Sequence, residues 1–492
     1  MLKNIAYSEN ENKKTTTDNK GEIDMKMNHE PKYKNAEECP WICRDANGNL
    51  QVSKQELYKH LKENKVFLVT DRGNLLQYQD GIYKRLSKEE CIAIIKDYLP
   101  VEGRNKRQWE AVYEEFRTDH YDLQEEKLND DENYIVFNNG VLDIRTLELQ
   151  EHSPKFLYTR KIPCNFIKNA SFDEAPVFYT FLSDLISDSG LSKTFLLQFI
   201  GAIMSNVKGW RYKKMLFLIG AGNTGKSTLK EFVTLLIGRE NCSSIDLKKL
   251  NERFGTSAVY EKRLAGSNDM SFMEVTEMDI VKNLTGGDTI PVEFKGQDMF
   301  FYRFDGFLWC NANALPYFRG DRGNHVYERF CILECGNSIP EEKRDVHLID
   351  KMLREKDIIA SVAMRMFFKT IAFGYRFTES TDMMVARDSY KIENNSLFIF
   401  IRDNCRLNVI DVYTKRSKFN KTYEEWCTLN NFRPERMRER GKLLAEEFNI
   451  HPMKKNGEYC YPLGLEDDFL EELEARKEDS SSYNTSYSKR RR

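Results

Sequence analysis

The chain has 492 residues, of which 40% are hydrophobic and 31% charged, with a net charge of -2. That length is a prior of roughly three domains of about 150 residues each, and the composition is that of a globular chain able to bury cores. The near-zero net charge excludes a global basic field, so any nucleic-acid surface has to come from local clustering.

The N-terminal segment MLKNIAYSENENKKTTTDNK is polar and lacks the apolar stretch of a secretory signal. Residues 1–40 are expected to form a disordered arm. FLVT (Phe67 to Thr70) and LLQY (Leu75 to Tyr78) flank Asp71-Arg72-Gly73-Asn74, a hairpin signal. Ser87 followed by Glu90 predicts a capped helix start, and Pro100 closes that segment. YIVFNNGVLDIRTLELQ (Tyr134 to Gln150) predicts two strands around Asn138-Asn139-Gly140. Residues 41–155 are thus expected to form an N-terminal α+β region, and 156–207 a helical subdomain dense in Phe and Leu.

The most informative segment is MLFLIGAGNTGKSTLKEFVTLLIG. It matches G-x-x-x-x-G-K-[ST] at Gly220, Gly225, Lys226 and Ser227. Met215 to Ile219 is an unbroken apolar run, as a buried parallel strand requires. Leu229, Phe232, Val233, Leu236 and Ile237 then mark one helix face, and Gly238 stops it. In a strand–loop–helix of this kind, glycines let backbone N–H groups converge on phosphate oxygens at a helix N-terminus. Gly220, Ala221, Gly222, Asn223, Thr224, Gly225, Lys226, Ser227 and Thr228 are the predicted nucleotide contacts. Lys226 is expected to reach the β- and γ-phosphates and Ser227 to bind Mg²⁺.

Hydrolysis also needs a carboxylate near the metal. Asp269, after the short strand Leu264 to Ser267, is the first candidate and Glu274 the second. In GFLWCNANALP (Gly306 to Pro316), an apolar strand ends in Asn311 and Asn313, either of which can sense a γ-phosphate or orient water. Arg319, Arg322 and Arg329 precede a further strand, FCILEC, and are candidates to reach a phosphate in a neighbouring subunit.

Residues 341–395 read as helical. In 396–470, Phe419, Tyr423, Trp426 and Cys427 form one helical stripe, and Pro434 opens a second helix. That helix has apolar Met437, Leu443, Leu444 and Phe448, and Asn456-Gly457 marks a hairpin. Helix, basic helix and hairpin predict a winged helix-turn-helix. Arg433, Arg436, Arg438, Arg440 and Lys442 would lie on DNA, against a plain solvent face on which Glu435 and Glu439 alternate with them. Residues 471–492 are a polar tail with a basic end. The eleven cysteines lack a zinc-site spacing and suit reduced thiols.

The order of these pieces resembles the superfamily 3 helicases, within them the phage and plasmid primase–helicase family found also in poxviruses. NGVLDIRTLELQEHSP (Asn139 to Pro154), LLQFIGAIMSN (Leu196 to Asn206), GAGNTGKST, KNLTGGDTIPVEFKG (Lys282 to Gly296), NALP (Asn313 to Pro316) and YERF carry the likeness. It implies an AAA+-like α/β core over 208–340, ATP and Mg²⁺ held at subunit interfaces of a homo-hexamer, and DNA in the ring pore. It selects Asn313 over Asn311 as sensor and makes Arg329 the arginine finger. Asn268-Asp269 follows LAGS here, where the family's acidic motif follows a strongly apolar strand. Glu293 stands where many members carry arginine, and Lys295 is the basic residue offered to DNA on a pore hairpin. The family usually moves 3′ to 5′. No Asp-x-Asp pair precedes the helicase region, so no primase activity is expected and a separate primase would be a partner.

The expected activity is ATP-driven DNA unwinding in replication of a phage, plasmid or integrated mobile element, in the bacterial cytoplasm and without a membrane. An origin-binding initiator that unwinds little is the alternative, and a small-molecule P-loop kinase a third reading. A kinase would work as a monomer without DNA.

Overall fold

The computed structural model describes residues 32–474, apart from 34, 66, 119–120, 187–189, 271–273, 276–277, 297, 319–322, 337, 408, 410, 431, 433 and 472. Most of the expected arm and tail, and the candidates Arg319, Arg322 and Arg433, lie outside these. The chain divides into two compact units, one of residues up to 78 with 84–125, the other of 79–83 with 126–492. All eleven cysteines are free. Among the described residues no helix is long and apolar enough to cross a membrane.

In the first unit, helices Lys54–Lys65, Lys88–Asp97 and Lys106–Thr118 enclose a core that includes Trp41, Leu57, Leu61, Ile95, Val112 and Phe116. Ala36 and Cys39 are also buried, so the folded chain begins inside the stretch expected to be an arm. The hairpin of Phe67–Val69 and Leu75–Gln79 forms where the turn residues predict it, with Phe67 opposite Gln77 and Val69 opposite Leu75. At Ser87 both halves of the capping box are made. The Ser87 hydroxyl accepts from the Glu90 N–H at 3.2 Å, and the Glu90 carboxylate accepts from the Ser87 N–H at 2.8 Å.

The second unit opens with an antiparallel sheet of Tyr134–Phe137, Gly140–Asp143 and Glu148–Gln150. Helices Pro176–Leu185 and Gly190–Met204 follow. Beside them stands a five-stranded parallel sheet in the order Cys242–Ser243, Leu264–Ala265, Phe307–Ala312, Met215–Ile219, Phe330–Glu334. Helices cover a parallel sheet on both faces, so its strands read as continuous apolar runs rather than alternating ones. Leu216, Leu218, Phe307, Trp309 and Leu333 pack on one face, with the helix Lys226–Ile237 and with Gly190–Met204. Met215, Phe217, Leu308, Cys310 and Ile332 pack on the other.

Gly190–Met204 crosses Lys356–Ala372 at Gly201, where a methyl group would fall on the Ala363 carbonyl oxygen and the Phe367 Cβ. The architecture is thus mixed α/β with a parallel five-stranded sheet. Residues from Leu397 to Leu473 have a hydrophobic core of their own, holding Phe419, Tyr423, Trp426, Cys427, Leu443 and Leu444. There the helices Arg416–Leu429 and Met437–Phe448 precede an antiparallel hairpin, Met453–Lys455 with Glu458–Tyr461, turning at Asn456 and Gly457, both at positive φ.

Candidate active site

The loop from Gly220 to Ser227 joins the end of the Met215–Ile219 strand to the helix Lys226–Ile237. Gly220 (φ 155°) and Gly225 (φ 102°) adopt backbone that a side chain disfavours. A Cβ on Gly225 would also come within 3.0 Å of the Phe181 ring. The Lys226 ammonium donates to the carbonyls of Gly220 (2.6 Å) and Ala221 (2.7 Å) and to the Thr224 hydroxyl (3.3 Å), so it stands over the concave side of the loop. Burial lowers its pKa, opposed by Cys335 and by the nearby charge of Asp269.

The segment after the edge strand braces the loop from behind. Ser338 donates to the Gly222 carbonyl at 2.6 Å, and the Ile339 N–H to the Asn223 carbonyl at 2.9 Å. Between this segment and the helix Pro176–Leu185 opens a cleft of 1150 Å³. Phe181, Leu185, Thr224, Thr228 and Leu348 are among its walls.

On the other side of the loop lie the ends of two neighbouring strands. The Ser227 hydroxyl donates to the Asn268 carbonyl at 3.4 Å, next to the exposed carboxylate of Asp269. Asn311 is buried at the end of its strand. Its side-chain oxygen accepts from the Trp309 indole N–H at 2.8 Å, while its amide nitrogen has no hydrogen-bond partner among the described residues. Asn313 lies exposed just past that strand end. The fold therefore brings Lys226, Ser227, Asp269 and both asparagines to one edge of the sheet. Glu274 belongs to a two-residue strand paired with Tyr317–Phe318, and its side chain is outside the described ones.

Lys230 was not singled out by sequence reading. Its ammonium, only 3% exposed as a residue, donates to the carbonyls of Gly266 (2.9 Å), Ser267 (2.9 Å) and Trp309 (2.8 Å). Burial pushes its pKa down to about 8. It ties the loop helix to both strand ends that carry Asp269 and the asparagines. The available signal was its place one turn after Lys226 on the helix's buried face.

Arg329 lies at the opposite edge of the sheet. Its carbonyl accepts from the N–H of Met215, the first residue of the strand that ends in the loop. Five residues of strand separate these edges by about 16 Å. The guanidinium is half-buried and donates to the Thr285 hydroxyl at 2.8 Å and the Lys282 carbonyl at 3.5 Å. The fold keeps it apart from its own chain's loop.

Below that edge the hairpin Thr289–Val292 with Phe300–Arg303 carries Lys295, exposed, in its connecting turn. In the C-terminal region Arg436 and Arg438 are exposed. Arg440 is not available to DNA, contrary to the sequence expectation. It is 2% exposed, donates to Asn420 (2.6 Å), Glu424 (2.9 Å) and the Glu435 carbonyl (2.9 Å), and lies over the Tyr423 ring. One helical turn from Leu443 and Leu444, it faces inward with them.

Among the described residues no group of three or more His, Cys, Asp or Glu gathers as a metal cluster. Residues 55–187 match a family described as D5 N terminal like, and residues 218–329 match a family of unknown function, DUF5906. A curated relative, "Putative helicase 121R" of Invertebrate iridescent virus 3, is 25% identical over 253 residues. These are 46% of this chain and 26% of the relative, so the match spans about a quarter of that protein's length. Two solved apo structures of the NrS-1 C terminal region are 13% identical, with TM-scores of 0.44 and 0.46. They cover 83% and 84% of this chain and 99% and 100% of their own.

Proposed function

We propose that this chain, which belongs to the phage and viral primase–helicase family, is an ATP-dependent DNA helicase of the superfamily 3 type, working in replication of a phage, plasmid or mobile element. The strand order, with the loop strand between Phe307–Ala312 and the edge strand Phe330–Glu334, suits an AAA+-like motor core. ATP would lay its phosphates on the Gly220–Thr228 backbone, with Lys226 against the β- and γ-phosphates, and its base and sugar in the adjoining cleft. Ser227, bonded to the carbonyl of the residue before Asp269, and the Asp269 carboxylate are hard oxygen donors of the kind Mg²⁺ takes. The ion, when bound, would neutralise charge on the phosphate oxygens. Asp269 would take a proton from the attacking water, and Asn313 would orient that water. Asn311, with its amide oxygen already engaged by Trp309, is the more constrained of the two asparagines.

The observation that carries this reading is the separation of Arg329 from the loop. A side chain rooted a strand's length, about 16 Å of backbone, from its own loop and bonded to Thr285 and Lys282 would act on a γ-phosphate only if another copy supplies the nucleotide. A ring of identical subunits, a hexamer by family likeness, provides that in every interface. Lys295 on the hairpin and Arg436 and Arg438 on a winged-helix-like C-terminal region would meet DNA phosphates. Such a motor would work in the cytoplasm, with a separate primase as partner.

The test is ATP hydrolysis and displacement of a strand from a forked duplex, by the wild-type chain and by Lys226→Ala. The proposal expects both activities in the wild type and neither in the variant. Near-normal turnover by the variant would remove the site assignment. Hydrolysis without any displacement would reduce the protein to an initiator.

A further inference from the structure

The helix Thr381–Glu393 reaches all three cores of the second unit. Met383 is buried in the core that holds the loop helix, and Tyr390 in the core on the other face of the parallel sheet. Ile392 packs against the core of the C-terminal region. One helix thus touches the motor and the C-terminal region together.

The end of this helix, with Asn394 just past it, holds the connection from Asn313 to Arg329 at both ends. At the asparagine end the Tyr390 hydroxyl donates to the carbonyl of Pro316, three residues after Asn313. At the arginine end Lys391 donates to the side-chain oxygen of Asn324, and the Asn394 amide to the Tyr327 hydroxyl at 2.9 Å. Asn324 and Tyr327 begin and end the short helix that leads into Arg329. The Tyr327 and Tyr390 rings meet edge-on, 5.9 Å apart. Arg387, on the same helix as Tyr390, donates to the Phe330 carbonyl at 3.4 Å, one residue beyond Arg329.

Lys391 also faces the C-terminal region. Its ammonium pairs with Glu447 of the helix Met437–Phe448 at 2.5 Å, the two side chains being 14% and 12% exposed. It lies 5.1 Å from the centre of the Phe398 ring, which packs on Phe448. Apolar contact between these rings attracts without fixing a direction. Hydrogen bonds are directional, and a largely buried ion pair supplies geometry more readily than stability. We propose that Lys391 and Tyr390 are positioning residues for ATP hydrolysis, through which the C-terminal region, by Glu447, sets the segment that carries Asn313 and Arg329. The proposal rests on the ATPase reading and makes a carboxylate outside the nucleotide site matter to turnover. None of these bonds reaches the Gly220–Thr228 loop, so nucleotide affinity should be spared.

The experiment measures kcat and KM for ATP, per folded molecule, with assembled mass and a thermal melt. It uses the full-length wild type, Tyr390→Phe, Lys391→Arg and the double variant Lys391→Met, Glu447→Leu. Replacing both members of a buried pair by apolar groups of similar size costs little stability, so the double variant separates positioning from folding. It should assemble and melt like the wild type, with kcat down about tenfold and KM unchanged. Lys391→Arg keeps a charged donor and should turn over near the wild-type rate. Tyr390→Phe loses one hydrogen bond and should lower kcat about fivefold. A double variant at the wild-type rate overturns the proposal and leaves the ATPase reading intact. So does a loss that only tracks assembled mass, or that appears only as a raised KM. Should the double variant not fold, Tyr390→Phe at the wild-type rate overturns it equally. A wild type that hydrolyses no ATP overturns both.

Discussion

Lys230→Met removes the ammonium that joins the loop helix to two strand ends, at nearly the same side-chain length. Three carbonyls, of Gly266, Ser267 and Trp309, lose a charged hydrogen bond, while Ser267 keeps the Asn311 N–H at 3.0 Å and Gly266 that of Ile245 at 3.4 Å. Each hydrogen bond to a charged group contributes about 1.5–3 kcal/mol. Against this stands relief from burying a charge. A pKa pushed down to about 8 corresponds to about 3 kcal/mol of that cost. The net is a loss of about 3 kcal/mol in the middle of these ranges, or about 4 °C in Tm at an unfolding entropy of about 2.1 cal/mol/K per residue over the second unit. Lys226 and the loop backbone remain, so nucleotide affinity should change little. Asp269 and the asparagines, whose strand ends lose their tether, should be misplaced, and turnover should fall about tenfold or more. The assays are a thermal melt, nucleotide binding by fluorescence, and hydrolysis per folded molecule below the variant's melting range. A variant that melts early but turns over at the wild-type rate would show Lys230 to be a packing residue only. One unchanged in both would refute the reasoning.

Three further outcomes follow from packing and charge. Gly201→Ala should destabilise the second unit by about 1–3 kcal/mol, because the added methyl meets the Ala363 backbone rather than a yielding side chain; a denaturant melt unchanged from wild type would contradict this. Asp305 is buried, which alone would raise its pKa, but Arg160 (3.0 Å), Arg263 and Lys208 override that and hold it down to about 2. Its folded pKa lies below its unfolded value, so its stabilisation is present above about pH 4 and lost as pH falls towards 2. Asp305→Asn should remove that part of the acid transition in a pH-dependent melt. Arg440→Ala should destabilise the C-terminal region by about 1–3 kcal/mol through the buried Asn420 left without its donor, Glu424 being exposed enough to be solvated, whereas Arg438→Ala should leave the melt unchanged and lower DNA affinity in a salt-dependent way.

The loop was legible because its strand, glycines and helix are dictated by local backbone and period. Met215–Ile219 and the stop at Gly238 fall where the apolar pattern puts them. The stripe of Phe419, Tyr423 and Trp426 was readable for the same reason. Lys230 and Asp305 were hidden because their roles depend on partners that are distant in sequence. Arg160 lies 145 residues from Asp305, and no window of sequence joins them. Arg440 was misjudged because its neighbours Arg438 and Glu439 read as a solvated charge pattern. Its place one turn from Leu443 and Leu444 was the better signal. The two asparagines were indistinguishable as letters. The NALP likeness favours Asn313, and burial and the Trp309 indole set Asn311 apart in the structure.

The central claim is that each active site is shared between copies, with Lys226, Ser227 and Asp269 from one and Arg329 from its neighbour. The most direct measurement is ATP hydrolysis by an equimolar mixture of Arg329→Ala and Asp269→Asn chains, each inactive alone, with assembly followed by mass. Mixed interfaces pair an intact loop side from the first variant with an intact arginine from the second. The account predicts that mixing restores part of the wild-type turnover in the assembled fraction. Mixed assemblies of wild-type mass that hydrolyse no more ATP than either variant alone would contradict it.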